Sequence, residues 1–217
     1  QQTFKKFDGH DHRNVFDVVI SPDGTKAVSM TNGEPDKTQT EALIWDTSTL
    51  EVIHRLPGVF LQAAFLPDGH SVVLAGIVGG SEQEDFNNPE MLLVHWDIES
   101  GNELTVFKGH TDFVRSVAFS PDGRALAFSG CPEVQPNGSC PEPEILPWAM
   151  EASQVIGKLL AELDDPCSDV AFHPEGALLA SACGEFGVID LWDTADLAHL
   201  ASTPGSGNSV YSLAFSQ

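Results

Sequence analysis

Apolar and β-branched residues recur along the chain in short runs separated by turn-forming clusters. Val114–Phe119, VRSVAF, is one such run, and Ser120-Pro121-Asp122-Gly123 closes it as a tight turn in which glycine can take positive φ. Ala125–Phe128, ALAF, then returns as the second strand of a hairpin, and strands around Trp148 and from Val155 to Leu160 complete a set of four. The runs are apolar at successive positions rather than strictly alternating. Each small sheet is therefore expected to be covered on both faces by its neighbours.

The unit repeats. The turn reads ISPDG at Ile20–Gly24, FLPDG at Phe65–Gly69, FSPDG at Phe119–Gly123 and FHPEG at Phe172–Gly176, and a fifth copy opens at Phe215-Ser216. Measured from Ser21, Leu66, Ser120 and His173 to Ser216, the steps are 45, 54, 53 and 43 residues. The two short steps match the roughly 40–45 residues of a four-stranded blade. A tryptophan follows each turn in phase, in LIWD ending at Asp46, VHWD at Asp97, LPWA at Ala149 and LWD at Asp193. Gly-His stands at Gly9-His10 and Gly109-His110, just ahead of two of the runs.

Gly-His, Ser-Pro-Asp-Gly and Trp-Asp in this order resemble the WD-repeat β-propeller family across essentially the whole chain. The fold class expected is all-β: a propeller of four-stranded antiparallel blades, here four full blades with one flanking strand at each end, an incomplete ring. Residues 1–7 are read as the last strand of a preceding blade and 8–57, 58–108, 109–162 and 163–204 as blades. Residues 205–217 are read as the first strand of a following blade, both ends being cut from something longer. The resemblance implies a non-catalytic scaffold for protein complexes. It also implies a bracing set in each blade, made of the strand Trp, a neighbouring Ser or Thr, the Gly-His imidazole and an Asp six residues before the Trp. The signature positions are His10, Trp45, Asp46, Trp96, Asp97, His110, Trp148, Trp192 and Asp193. The Asp position holds Gln39, Glu90, Glu142 and Phe186, so no blade keeps the full set and packing is expected to hold the blades together.

Charge narrows the partners. With 32 acidic against 10 basic residues, the formal net charge is -22, which repels phosphate backbones and anionic headgroups. Nucleic acid and membrane are excluded as partners on this reading. Other proteins or peptides fit, basic ones included, as does the rest of a longer chain completing the propeller. No apolar stretch reaches bilayer-spanning length and no secretory signal stands at the start. The compartment stays open, with the cytoplasm favoured.

Binding is placed on the residue after the first apolar position of each first strand: Phe16, Leu61, Arg115, Ser168 and Tyr211. These vary in chemistry while their neighbours repeat, and aromatic and Arg side chains dominate interface hot spots. No metal or cofactor is expected. His10 and His12 lie close in GHDHR, but a metal site needs three or four convergent ligands. The acidic insert GGSEQEDFNNPE lacks the ordered alternation of a calcium loop. Cys131 and Cys140 bracket the insert CPEVQPNGSC, whose spacing permits a loop-closing disulfide or two reduced thiols, and Asn137-Gly138-Ser139 within it is a glycosylation sequon. Cys167 and Cys183, at strand positions, are expected to be buried free thiols. No nucleophile elbow, phosphate-cradling loop or His-Glu-x-x-His is present. Two alternatives to the scaffold remain: an enzyme domain using the propeller as a substrate platform, and an extracytoplasmic propeller held by the loop disulfide.

Overall fold

The computed structural model describes residues 6–11, 14–31, 40–78, 92–107, 113–131, 140, 143–151, 154–157, 159, 167–184 and 186–216. Every element among them is a β-strand, and the strands form antiparallel sheets. The chain divides into two compact units, Gln1–Val106 and Phe107–Gln217.

In the first unit β1 (Val15–Ile20), β2 (Lys26–Thr31) and β3 (Glu41–Asp46) pair in sequence order, followed by β4 (Val52–Phe65), β5 (Ser71–Val78), β6 (Leu92–Asp97) and β7 (Glu103–Phe107). β4 is 14 residues long and serves two blades. Its first half pairs with β3 as far as Pro57, opposite Glu41, and its second half pairs with β5 from Gly58, opposite Val78. The exchange of partners falls on a residue without an N–H followed by a glycine at φ 147°, a conformation that a Cβ opposes. Val28, Met30, Ile44, Leu56, Phe60, Leu74 and Ile98 form one buried cluster beneath these strands.

The second unit holds two four-stranded sheets. One is β8 (Phe113–Phe119), β9 (Ala125–Cys131), β10 (Glu144–Ala149) and β11 (Gln154–Val155); the other is β12 (Cys167–Phe172), β13 (Leu178–Cys183), β14 (Val188–Asp193) and β15 (His199–Ser202). The fourth strand of the third blade is shorter than the sequence suggested, two residues plus an isolated bridge between Ile145 and Leu159. Ile145, Leu159, Val170, Leu179 and Trp192 are buried together. Residues 203–216 run beside the last sheet without a ladder of their own.

The repeated turn has a common chemistry. Ser21 Oγ donates to Asp23 Oδ1 at 2.7 Å, the Gly24 N–H closes onto the Ser21 carbonyl at 2.8 Å, and Gly24 sits at φ 72°. Ser120, Asp122 and Gly123 repeat this with 2.6 Å, 2.9 Å and 71°. In the fourth copy His173 replaces serine, and its Nδ1 accepts the Glu175 N–H at 3.1 Å. The Asp of Trp-Asp caps the next turn in the same way, Asp46 Oδ1 accepting the N–H groups of Ser48 and Thr49 at 2.9 and 2.8 Å.

These bonds favour the carboxylate. The Thr25 N–H and the Ser21 hydroxyl bring Asp23 from an ordinary 3.8 to about 2, and the Ser48 hydroxyl with the Thr49 N–H brings Asp46 to about 2. A carboxylate with a depressed folded pKa supports the fold above its unfolded value and loses that support as pH falls through the folded one. Both turns are therefore expected to hold fully above pH 4 and to weaken between about 4 and 2. An NMR titration of the two carboxyl carbons checks this. Midpoints near 4 for both would show the caps to be absent in solution.

Candidate functional site

Four of the five sequence-selected positions share a backbone feature. Phe16, Leu61, Arg115 and Ser168 are each the extra residue of a β-bulge, where the register of the first strand against the second skips from Val15 to Asp17, Phe60 to Gln62, Val114 to Ser116 and Cys167 to Asp169. A bulge leaves one residue unpaired and re-aims its side chain, which is why it recurs beside binding sites. Arg115 is exposed, Phe16 is 39% exposed, and Leu61 and Ser168 are half-buried. Tyr211, which occupies the corresponding place in residues 203–216, is 84% exposed.

The bulge also sets the residue that follows it. Ser116 Oγ donates to Asp169 Oδ1 at 2.6 Å and accepts the Val170 N–H at 3.2 Å, joining the first strands of the third and fourth blades. Asp169 then does for the next segment what Ser116 does for it: its Oδ2 accepts the Leu213 N–H at 2.6 Å. Leu213 follows Tyr211 by the interval that separates Val170 from Ser168. Ser168 Oγ donates to the Val210 carbonyl, Ser129 Oγ donates to the Cys167 carbonyl at 3.1 Å, and Phe215 meets His173 edge to face at 5.0 Å. Residues 167–169 thus hold a neighbour on each side.

The bracing expectation needs correction in the first blade. Trp45 Nε1 donates to Ser29 Oγ at 3.0 Å, and His10 Nε2 lies 2.6 Å from the same oxygen. His10 Nδ1 faces Glu41 Oε1 at 3.7 Å. Arg55 Nη1 donates to both Glu41 oxygens at 3.0 and 3.1 Å, and its Nη2 donates to the Gly9 carbonyl at 3.0 Å. A carboxylate therefore faces the imidazole at 3.7 Å, four residues before the Trp rather than six, on the first residue of β3. Phe7 stacks on Trp45 with ring centroids 4.2 Å apart.

The four blades divide at one position on the second strand. Two residues beyond the partner of each Trp stand Ser29, Leu74, Phe128 and Ser181. Trp192 Nε1 accordingly donates to Ser181 Oγ at 2.9 Å, while the buried indole N–H groups of Trp96 and Trp148 have no partner among the described residues. His110 and His12 lie outside those residues, as do Gln39, Glu90 and Glu142 of the proposed acid position.

The cysteines are paired. Cys131 is bonded to Cys140 and Cys167 to Cys183, so the expectation of free thiols at the second pair is wrong. Those two residues are direct cross-strand partners on β12 and β13. Their separation of 16 residues in sequence conceals that pairing.

Ser202, His199 and Asp190 also gather, and here sequence reading had no signal. Ser202 Oγ is 2.5 Å and His199 Nε2 3.0 Å from Asp190 Oδ1, and the hydroxyl lies 3.1 Å from that same ring nitrogen. A proton relay places acid and hydroxyl on opposite nitrogens of the ring. This arrangement instead clasps the outer strand β15 to β14 over Trp192, whose ring meets His199 at 5.0 Å. Among the described residues no group of three or more potential ligands converges, and no helix is long and apolar enough to cross a membrane.

Consecutive antiparallel four-stranded sheets with these turns and bulges define a β-propeller. The WD domain, G-beta repeat family matches residues 101–132. Pre-mRNA-processing factor 19 of Bos taurus is 26% identical over 158 residues, 57% of this chain and 31% of that protein. Guanine nucleotide-binding protein subunit beta-1 of Caenorhabditis briggsae is 23% identical over 125 residues, 41% of this chain and 37% of that one. The solved structure of U3-55K superposes with a TM-score of 0.68 at 16% identity, over 92% of this chain and 54% of that chain. A chain of the mitotic checkpoint complex does so with 0.68 at 17%, over 90% and 52%. The chain resembles WD-repeat proteins in the matched segment and in its propeller fold, and it spans about a third of the length of these curated relatives and about half of these solved chains.

Proposed function

We propose that this chain is a non-catalytic scaffold that binds other proteins through its bulge residues, within a longer regulatory or signalling protein. The observation that carries the reading is the bulge at Phe16, Leu61, Arg115 and Ser168: the repeat keeps the backbone irregularity and changes only the side chain it presents. Uniform geometry with variable chemistry suits recognition, since aromatic and Arg groups supply most binding energy at interfaces. The net charge of -22 favours basic partners and speeds their encounter. Val15, Val18 and Ile20, all 43–61% exposed on β1, form an apolar row that suits a further blade of the same protein.

The test uses a panel of extended Lys/Arg-containing peptides and calorimetry. Phe16→Ala and Tyr211→Ala are each expected to weaken the best binder about tenfold or more, while Leu104→Ala, an exposed residue of β7, leaves it unchanged. Equal binding by all three proteins would remove the bulge residues from the interface. A second reading, a propeller of an oxidising compartment, is favoured by the pairing of all four cysteines. Thiol alkylation in the native host distinguishes it, since cytosolic protein would take up label.

A further inference from the structure

Three blades of this chain keep the register at the bulge without a covalent link. The pair flanking the bulge is Val15 with Thr31, Phe60 with Gly76 and Val114 with Gly130; in the fourth blade it is Cys167 with Cys183, joined by a disulfide. Pairing of β12 with β13 therefore does not require the bond. What sets β12 apart is its neighbour: residues 209–216 lie against it without a ladder, held by Ser168 on the Val210 carbonyl, Asp169 on the Leu213 N–H and His173 on Phe215. Two of these three contacts come from the residues directly after Cys167.

We propose that the Cys167–Cys183 disulfide is a redox-controlled latch, which holds residues 209–216 on β12 when oxidised and releases them when reduced. The reductant is a dithiol: its thiolate attacks one sulfur, a mixed disulfide forms, and its second thiol displaces the protein thiol. Two electrons and two protons pass to the cysteines, leaving two thiols and one oxidised dithiol. Cys167 is 1% and Cys183 6% exposed, so the thiolate reaches the bond at Cys183 when the end of β13 frays. Without the bond the bulge gains freedom, and Ser168 and Asp169 lose the fixed spacing that meets Val210 and Leu213 together. Release uncovers one side of β12, a first strand like those that carry the other candidate binding residues.

The experiment is hydrogen exchange on the full chain carrying Cys131→Ala and Cys140→Ala, so that dithiothreitol acts on one disulfide. Reduction is expected to speed exchange at the Leu213 amide and across 209–216 about tenfold or more, with β12 and β13 amides still protected. Cys167→Val with Cys183→Gly, copying the Val114–Gly130 pair, is expected to behave as the reduced protein does. Should that variant not fold, the reduced parent alone decides. Unchanged exchange at Leu213, loss of protection in β12 and β13 to the same degree, or a disulfide that resists dithiothreitol in the folded protein would each overturn the latch.

Discussion

Trp192→Ala is expected to destabilise the chain by about 3–5 kcal/mol, the largest single-residue effect its structure predicts. The indole is 1% exposed and packs among Leu179, Val170 and Cys167, so truncation removes a large apolar area and leaves a cavity that strands cannot collapse to fill. A second cost adds to the first. Ser181 is fully buried, and its hydroxyl loses the indole N–H it receives at 2.9 Å. Trp192→Phe separates the two: it keeps most of the ring and strands the hydroxyl, and about 1–3 kcal/mol is expected. Urea unfolding of the three proteins measures both. A cost below about 1 kcal/mol for Trp192→Ala would show that the ring is not part of the core.

Asp169→Ala is expected to cost about 2–4 kcal/mol, while Asp17→Ala, the same repeat position in the first blade, costs under about 1. Both carboxylates accept the N–H of the following residue, Val18 at 2.8 Å and Val170 at 2.9 Å. Only Asp169 also receives the Ser116 hydroxyl and the Leu213 N–H. Removing it leaves the proton of the buried Ser116 hydroxyl without its acceptor and the Leu213 N–H without its carboxylate, and hydrogen bonds to a charged acceptor are worth more than neutral ones. Asp169→Asn retains an acceptor oxygen for one of the two and is expected to fall between. Equal losses at Asp17 and Asp169 would mean that the carboxylate acts within its own strand only.

Much of the fold can be read in the chain because two markers keep step, the Pro-Asp-Gly turn and the Trp that follows it. Each is local chemistry: a glycine at positive φ, a serine or aspartate closing its own turn. The candidate binding positions can be picked out for the same reason, although the sequence shows only that they vary and not that four of them sit on bulges. What depends on register across strands is hidden. Glu41 faces His10 from an unexpected position, the first residue of β3. Ser29 and Ser181 support their tryptophans where Leu74 and Phe128 do not, a difference visible only once strand partners are known. Cys167 and Cys183 look unrelated until β12 and β13 are laid side by side.

The sharing of β4 between two blades bears on how the protein can be dissected. A truncation at the blade boundary, between Pro57 and Gly58, cuts through a strand hydrogen-bonded on both sides of the break. Each fragment nevertheless keeps its own ladder, residues 52–57 on β3 and 58–65 on β5, and the cut costs the bond from the Gly58 N–H to the Thr40 carbonyl at 3.1 Å. A cut in the exposed turn Glu99–Asn102 would instead strip β7 from β6 and leave a bare strand edge, so the Pro57–Gly58 junction is the better place to divide that half of the molecule.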